Sequence, residues 1–279
     1  MKPSEPMSRA MPPGPDRSPS ATLMPVFYLS QGREVEVFKH AWEARLPLMV
    51  KGPTGCGKTR FIQHMAETLT RPLVTVSCNE DTSATDLLGR HLLVDGDTRW
   101  VDGPVTRAVR QGAMLYLDEI AEARADALVV IHSLTDHRRE LFLDRTGETL
   151  HAPNEFMLIV SYNPGYQRSM REMKPSTRQR FISLSFDFPS AENEARIICE
   201  ESGASADVAR RLVNIAKKIR SLHELSLLES VSTRLLVSAG KLIARDVPPR
   251  LACITAIAEP MTDEPETLAA IRQVIELSI

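Results

Sequence analysis

With 279 residues and a mass of 31.1 kDa, the chain has room for one α/β core and a smaller helical domain, since domains cluster around about 100 to 200 residues. Hydrophobic residues at 43% and charged residues at 25% exclude a fibrous or wholly disordered chain. The 34 basic residues against 36 acidic ones leave a formal charge of −2, so no global field draws the protein onto nucleic acid or anionic lipid.

Residues 1–25 hold seven of the 19 prolines, repeated serine and little apolar material, the composition of a disordered Pro/Ser-rich tail. Lys2 and Arg9 are not followed by an apolar stretch, so no secretory signal is expected. A short helix over 34–44 puts Val35, Phe38 and Trp42 near one face, and 48–50 is an apolar strand. It leads into a glycine-rich loop at 52–59 and a helix over 61–69. Strands are expected at 73–76, 114–117, 156–161 and 181–186, with helix-length segments between them, one closing at 107–111. Strands alternating with helices imply a largely parallel sheet covered on both faces.

Two stretches break the alternation. Asp95, Gly96 and Asp97 lie between Leu92, Leu93, Val94 and Trp100, Val101, and Arg145, Thr146 and Gly147 interrupt 141–150 in the same way. Both read as β-hairpins inserted into the scaffold, with ordinary surface loops as the alternative. Their polar tips, 95–98 and 144–147, are candidate contacts for another protein, with plain exposed turns that need no function as the alternative. From about residue 190 the pattern is helical. Val208, Leu212, Ile215, Ile219 and Leu222 recur at helical spacing, as do Leu235, Leu236, Ala239, Leu242 and Ile243. The domains expected are therefore the tail at 1–25, an α/β domain carrying the glycine-rich loop at 26–189 and a helical domain at 190–279. Cysteines at 56, 78, 199 and 253 form no closely spaced pair, which argues against a zinc site or disulfide framework and fits a reducing cytoplasm. No apolar run approaches the roughly 20 residues that cross a membrane.

The loop reads Gly52, Pro53, Thr54, Gly55, Cys56, Gly57, Lys58, Thr59. Its glycines let the backbone wrap phosphate oxygens and offer N–H donors, while the following helix adds the positive end of its dipole. Lys58 is expected to reach the β- and γ-phosphates of ATP, and the Thr59 hydroxyl to bind Mg²⁺. The strand at 114–117 ends in Asp118 and Glu119, a metal-side carboxylate and a base for the attacking water. A solvated strand end explains such a pair equally well in isolation; the phosphate loop tips the reading. Asn163 follows the fourth strand, either as a γ-phosphate contact or as a turn former before Pro164. Arg178 and Arg180 precede the fifth strand, where one could neutralise charge in a neighbouring subunit's site or simply form a surface salt bridge. Arg234 opens a helix in the second domain and could close over the nucleotide.

With these elements in order the chain resembles the AAA+ ATPases of the MoxR branch. The loop with Arg60 and Phe61, the run from Leu117 to Ile120, the run Tyr162, Asn163, Pro164, Gly165, Tyr166 and the run Ser176 to Phe181 are similar to the CbbQ/NirQ/NorQ family. The resemblance, over 26–279, implies an α/β fold with strand order 5-1-4-3-2, nucleotide sites at the boundaries of a homohexamer, and the two hairpins as the helix-2 and pre-sensor-1 inserts. It further implies Asn163 as sensor 1, Arg180 as arginine finger with Arg178 assisting, and Arg234 as sensor 2. Members of this family are remodelling motors with a von Willebrand factor A partner. The client preferred on overall similarity is Rubisco, with a CbbO-like adaptor, and the alternative is nitric oxide reductase assembly of the NorQ/NirQ kind. A nucleic-acid motor is disfavoured by the balanced charge, and a small-molecule kinase by the arginine pair and second domain.

Overall fold

The computed structural model describes residues 26–94, 96–163, 173–222 and 230–279; the expected tail, Asp95 at one hairpin tip and the run 164–166 lie outside them. After α1 (Glu34–Glu43), the chain forms β1 (Leu48–Lys51), α2 (Lys58–Thr68) and β2 (Leu73–Ser77). Next come α3 (Ala84–Leu88), a hairpin of β3 (Gly89–Val94) and β4 (Asp97–Asp102), α4 (Pro104–Gln111) and β5 (Met114–Asp118). A 3₁₀ turn (Ile120–Glu122) leads to α5 (Ala125–His132), a second hairpin of β6 (Glu140–Leu143) and β7 (Glu148–His151), β8 (Met157–Tyr162), α6 (Pro175–Arg178) and β9 (Ile182–Ser185).

Five strands form one parallel sheet in the order β2-β5-β8-β1-β9. Counted among themselves, they have the 5-1-4-3-2 order the resemblance implies. Period-two alternation splits their side chains between two cores. Leu48, Val50, Met114, Tyr116, Met157 and Ile159 pack with Phe38 of α1 and Phe61 of α2 on one face. Met49, Leu115, Leu117, Leu158 and Val160 pack with Val105 of α4 and Ile131 of α5 on the other. Because both faces are covered, β5 and β8 read as apolar runs rather than alternating ones.

Local chemistry sets the helix limits. Ser83 and Asp86 make a capping box that starts α3. Pro104 sits in the first turn of α4, which therefore begins before the stretch expected to close it. Both hairpins form, and the Arg110 guanidinium on α4 joins them by donating to Asp102 at 2.9 Å and to Glu148 at 2.8 Å.

The remainder is helical: α7 (Ala191–Ser202), α8 (Ala206–Ser221), α9 (Thr233–Ile243), α10 (Pro249–Cys253), a π turn (Ile254–Ala258), α11 (Glu259–Met261) and α12 (Pro265–Glu276). Leu212, Ile215, Ile219, Leu236 and Ala239 meet Ile257, Ile271 and Ile275 in a third core. Leu222 is the exception to its expected stripe: α8 stops at Ser221, and Leu222, just past the end, is exposed. No helix among the described residues is long and apolar enough to cross a membrane.

Candidate functional site

The strand order reverses at β1, whose sequence neighbour β2 lies at the far edge of the sheet. In open α/β sheets the crevice beyond the strand ends at such a point receives ligands. The glycine-rich loop occupies that place between β1 and α2. Two of its glycines are required sterically. Gly52 has φ +151°, and a Cβ there would stand 2.4 Å from the Phe186 carbonyl oxygen. Gly55 has φ +71°, and its Cβ would stand 2.4 Å from Cβ of Ser232, the N-cap of α9. The loop is thus pressed against the start of a helix from the other half of the chain. Gly57 caps α2 without a side-chain bond, so the first N–H groups of that helix face the loop.

Lys58 is buried and its ammonium donates to three oxygens: the carbonyls of Gly52 at 2.8 Å and Pro53 at 2.9 Å, and Asn163 Oδ1 at 2.7 Å. These use all its protons. Burial holds its pKa below that of an ordinary lysine, with the nearby carboxylates of Asp118 and Glu119 acting in the opposite sense. The Asn163 amide donates to Thr54 Oγ1 at 3.2 Å and to Glu119 Oε1 at 3.3 Å. One polar side chain just past β8 therefore touches the loop, its lysine and Glu119.

Asp118 is held from both sides. Its Oδ1 accepts from Tyr116 at 2.7 Å and Ser161 at 2.5 Å, and its Oδ2 from Thr59 Oγ1 at 3.3 Å. Hydroxyl and carboxylate oxygens converging in this way suit a hard cation such as Mg²⁺, which takes few protein oxygens and completes its octahedron with water and phosphate. Glu119 has φ 55° and ψ 45°, a left-handed conformation at the turn after β5. Cys78 lies near the same carboxylates; burial and then their charges push its thiol up to about 12, so it stays protonated.

The cleft over the loop measures about 450 Å³. Besides Cys56, Lys58 and Thr59, it is lined by Arg234 and Lys241 from α9, by Ile197 and Val237 from the helical half, and by Phe27, Tyr28 and Leu29 from the segment before α1. Cationic and apolar groups together in one lining suit a polyanion joined to an apolar base. Arg60 on α2 and Glu201 on α7 pair across it at 2.7 Å.

Arg178 and Arg180 are not among the groups lining this cleft. Arg180 is exposed, with its guanidinium 4.0 Å from Asp136, and Arg178 is half-buried. The turn carrying them is tied to α5 by a 3.1 Å contact between His132 Nε2 and Thr177 Oγ1. Thr54, Gly55, Cys56, Gly57, Lys58, Thr59, Asp118, Glu119 and Arg234 line the cleft, and Gly52, Pro53 and Asn163 adjoin it through their bonds to Lys58. Sequence reasoning missed Tyr116, Ser161, Lys241 and the segment 27–29. Tyr116 and Lys241 were detectable, since Tyr116 lies two residues before Asp118 on the same strand face and Lys241 seven after Arg234 on the same helix face; Ser161 and the segment 27–29 carry no such signal.

A phosphate loop, an acidic pair on the neighbouring strand but one and a polar tip between them define the nucleotide-binding fold of the AAA ATPases. The model of the AAA domain of the dynein-related subfamily matches residues 47–181, and that of the CbbQ/NirQ/NorQ C-terminal region matches 194–278. A denitrification regulatory protein NirQ from Pseudomonas aeruginosa is 54% identical over 91% of this chain and 97% of that protein. NorQ from Paracoccus denitrificans is 54% identical over 88% and 91% of the two chains, and CbbQ from Hydrogenophilus thermoluteolus 51% identical over 88% and 92%. The chain belongs to the CbbQ/NirQ/NorQ family of MoxR-type AAA+ ATPases. The preference for CbbQ over its sister proteins is not reflected in these identities.

Proposed function

We propose that this chain is a Mg²⁺-dependent, ATP-hydrolysing remodelling motor acting as a homohexamer on a protein client through a von Willebrand factor A adaptor. The observation that carries the proposal is the meeting of Lys58, Asp118 and Glu119 in one cleft, with Asn163 bonded to Lys58 and Glu119 and Arg234 reaching in from α9. Residues 26–189 form the nucleotide-binding domain and 190–279 the lid. Thr59 and Asp118 would hold the metal, which when bound would offset phosphate charge. Lys58 exchanges loop carbonyls for phosphate oxygens, and the loop from Gly52 to Gly57 wraps the phosphates. Glu119 takes a proton from water, and Asn163 orients that carboxylate. Arg180, assisted by Arg178, faces outward to complete the site of a neighbouring subunit, and Arg234 reports nucleotide state to the lid. The setting is cytoplasmic.

For the client, reactivation of Rubisco with a CbbO-like adaptor is one reading, and assembly or activation of nitric oxide reductase is the other. The 54% identity to NirQ and NorQ against 51% to CbbQ supports the second at least as well as the first. Co-purification with von Willebrand factor A proteins encoded alongside either client, followed by ATP-dependent activity assays of Rubisco and nitric oxide reductase, separates them. Stimulation of one client and not the other decides. Tight, salt-sensitive DNA binding with neither client stimulated would replace both by a nucleic-acid motor.

A further inference from the structure

Ser161 is fully buried on β8, one step beyond the Leu117–Val160 pair that joins β8 to β5. Its single hydroxyl makes two bonds to adjacent residues of the acidic pair. It donates to Asp118 Oδ1 at 2.5 Å and accepts the Glu119 backbone N–H at 2.7 Å. A hydroxyl has one proton to give and lone pairs to receive, so both bonds form together without conflict. With Tyr116 also donating to Oδ1, that oxygen is saturated and Oδ2 is left facing Thr59 and the cleft.

The second bond bears on Glu119. Its backbone is left-handed, a region that non-glycine residues keep only where their surroundings hold them. Its N–H is the anchor of that turn, and the side chain that follows from it reaches Asn163. We infer that Ser161 is a positioning residue for hydrolysis: its hydroxyl orients the Asp118 carboxylate and locks the Glu119 backbone in the turn that aims its carboxylate at the water site. The inference rests on Glu119 being the base that activates water.

The full-length variants S161A, S161T and E119Q separate these ideas, read by steady-state ATP turnover and by the Kd of a fluorescent N-methylanthraniloyl ADP. Since displacing a catalytic group by about 1 Å costs on the order of 100-fold, S161A is expected to lose about that much kcat while KM and the analogue Kd stay within about threefold. S161T, which keeps the hydroxyl, is expected to restore most of the rate. If S161A is unstable, S161C keeps the volume with only a weak hydrogen-bonding group and makes the same test. An unchanged kcat in these variants, or parallel loss of rate and nucleotide affinity that S161T does not repair, overturns the positioning role. Inactive E119Q beside normal S161A sinks this inference alone; E119Q turning over at the wild-type rate overturns the assigned base as well.

Discussion

At the scale of single residues, the cleft is governed by how few protons and lone pairs are left over. Lys58 spends its three protons on oxygens of the loop and Asn163, so phosphate binding is an exchange of partners and not the capture of a free cation. The phosphate-loop motif and the acidic pair were legible because the chemistry demands fixed residue types at fixed spacing. Ser161 was not, since a serine inside an apolar strand has no distinguishing pattern. His132 is a further case in which neighbours decide behaviour. Burial first, then the positive charges of Arg180 and Lys174, lower its pKa below the ordinary histidine value. A base with a lowered folded-state pKa is protonated more readily unfolded. Its contribution to stability is therefore present above the unfolded value of about 6.5 and is lost as pH falls through the folded one. Melting curves at about pH 7 and about pH 5 should show a larger fall for the wild type than for His132→Gln; equal falls would remove His132 as the cause.

At the scale of elements, the placement of Arg234 depends on a buried charge network. Glu194 on α7 is 1% exposed and accepts two bonds from Arg220 of α8, at 2.9 and 2.8 Å, and one from Thr233 of α9 at 2.7 Å. Arg220 also donates twice to the Val231 carbonyl and lies 4.0 Å over the Phe188 ring in the segment that enters the helical half. Three helices and the connecting segment are thus joined beside the residue that lines the cleft. Removing one partner strands the other charge, so Arg220→Met is expected to destabilise the chain by about 3–5 kcal/mol. Urea unfolding measures this, and a loss below about 1 kcal/mol, the level of an exposed pair, would mean the network is not holding the helices. The apolar stripes of α8 and α9 were readable from helical spacing. The network was not, because Glu194, Arg220 and Thr233 are each unremarkable on a helix surface and become partners only when the helices pack.

At the scale of the whole molecule, the two halves meet at the cleft, with Gly55 against Ser232 and Arg60 paired to Glu201, while Arg178 and Arg180 do not line it. In the proposed homohexamer a neighbouring copy would bring these arginines to the site. Arg180→Ala should lose about 10³-fold or more in ATP turnover. Mixing it with the inactive Glu119→Gln protein should recover activity, because some sites would then combine an intact Glu119 with a neighbour's intact Arg180. Recovery no greater than the sum of the separate rates would argue that Arg180 works within its own chain. By itself the sequence determined the strand and helix alternation, the inserted hairpins, the phosphate loop, and the acidic pair with Asn163. Each of these depends on local periodicity or on residue types that one reaction requires. Only the tertiary structure decided which oxygen of Asp118 faces the cleft, what holds Glu119 in its turn, and which helix presses on the phosphate loop. Those depend on contacts between residues such as Ser161 and Glu119, or Gly55 and Ser232, that are far apart along the chain and come together only when the sheet and helices have packed.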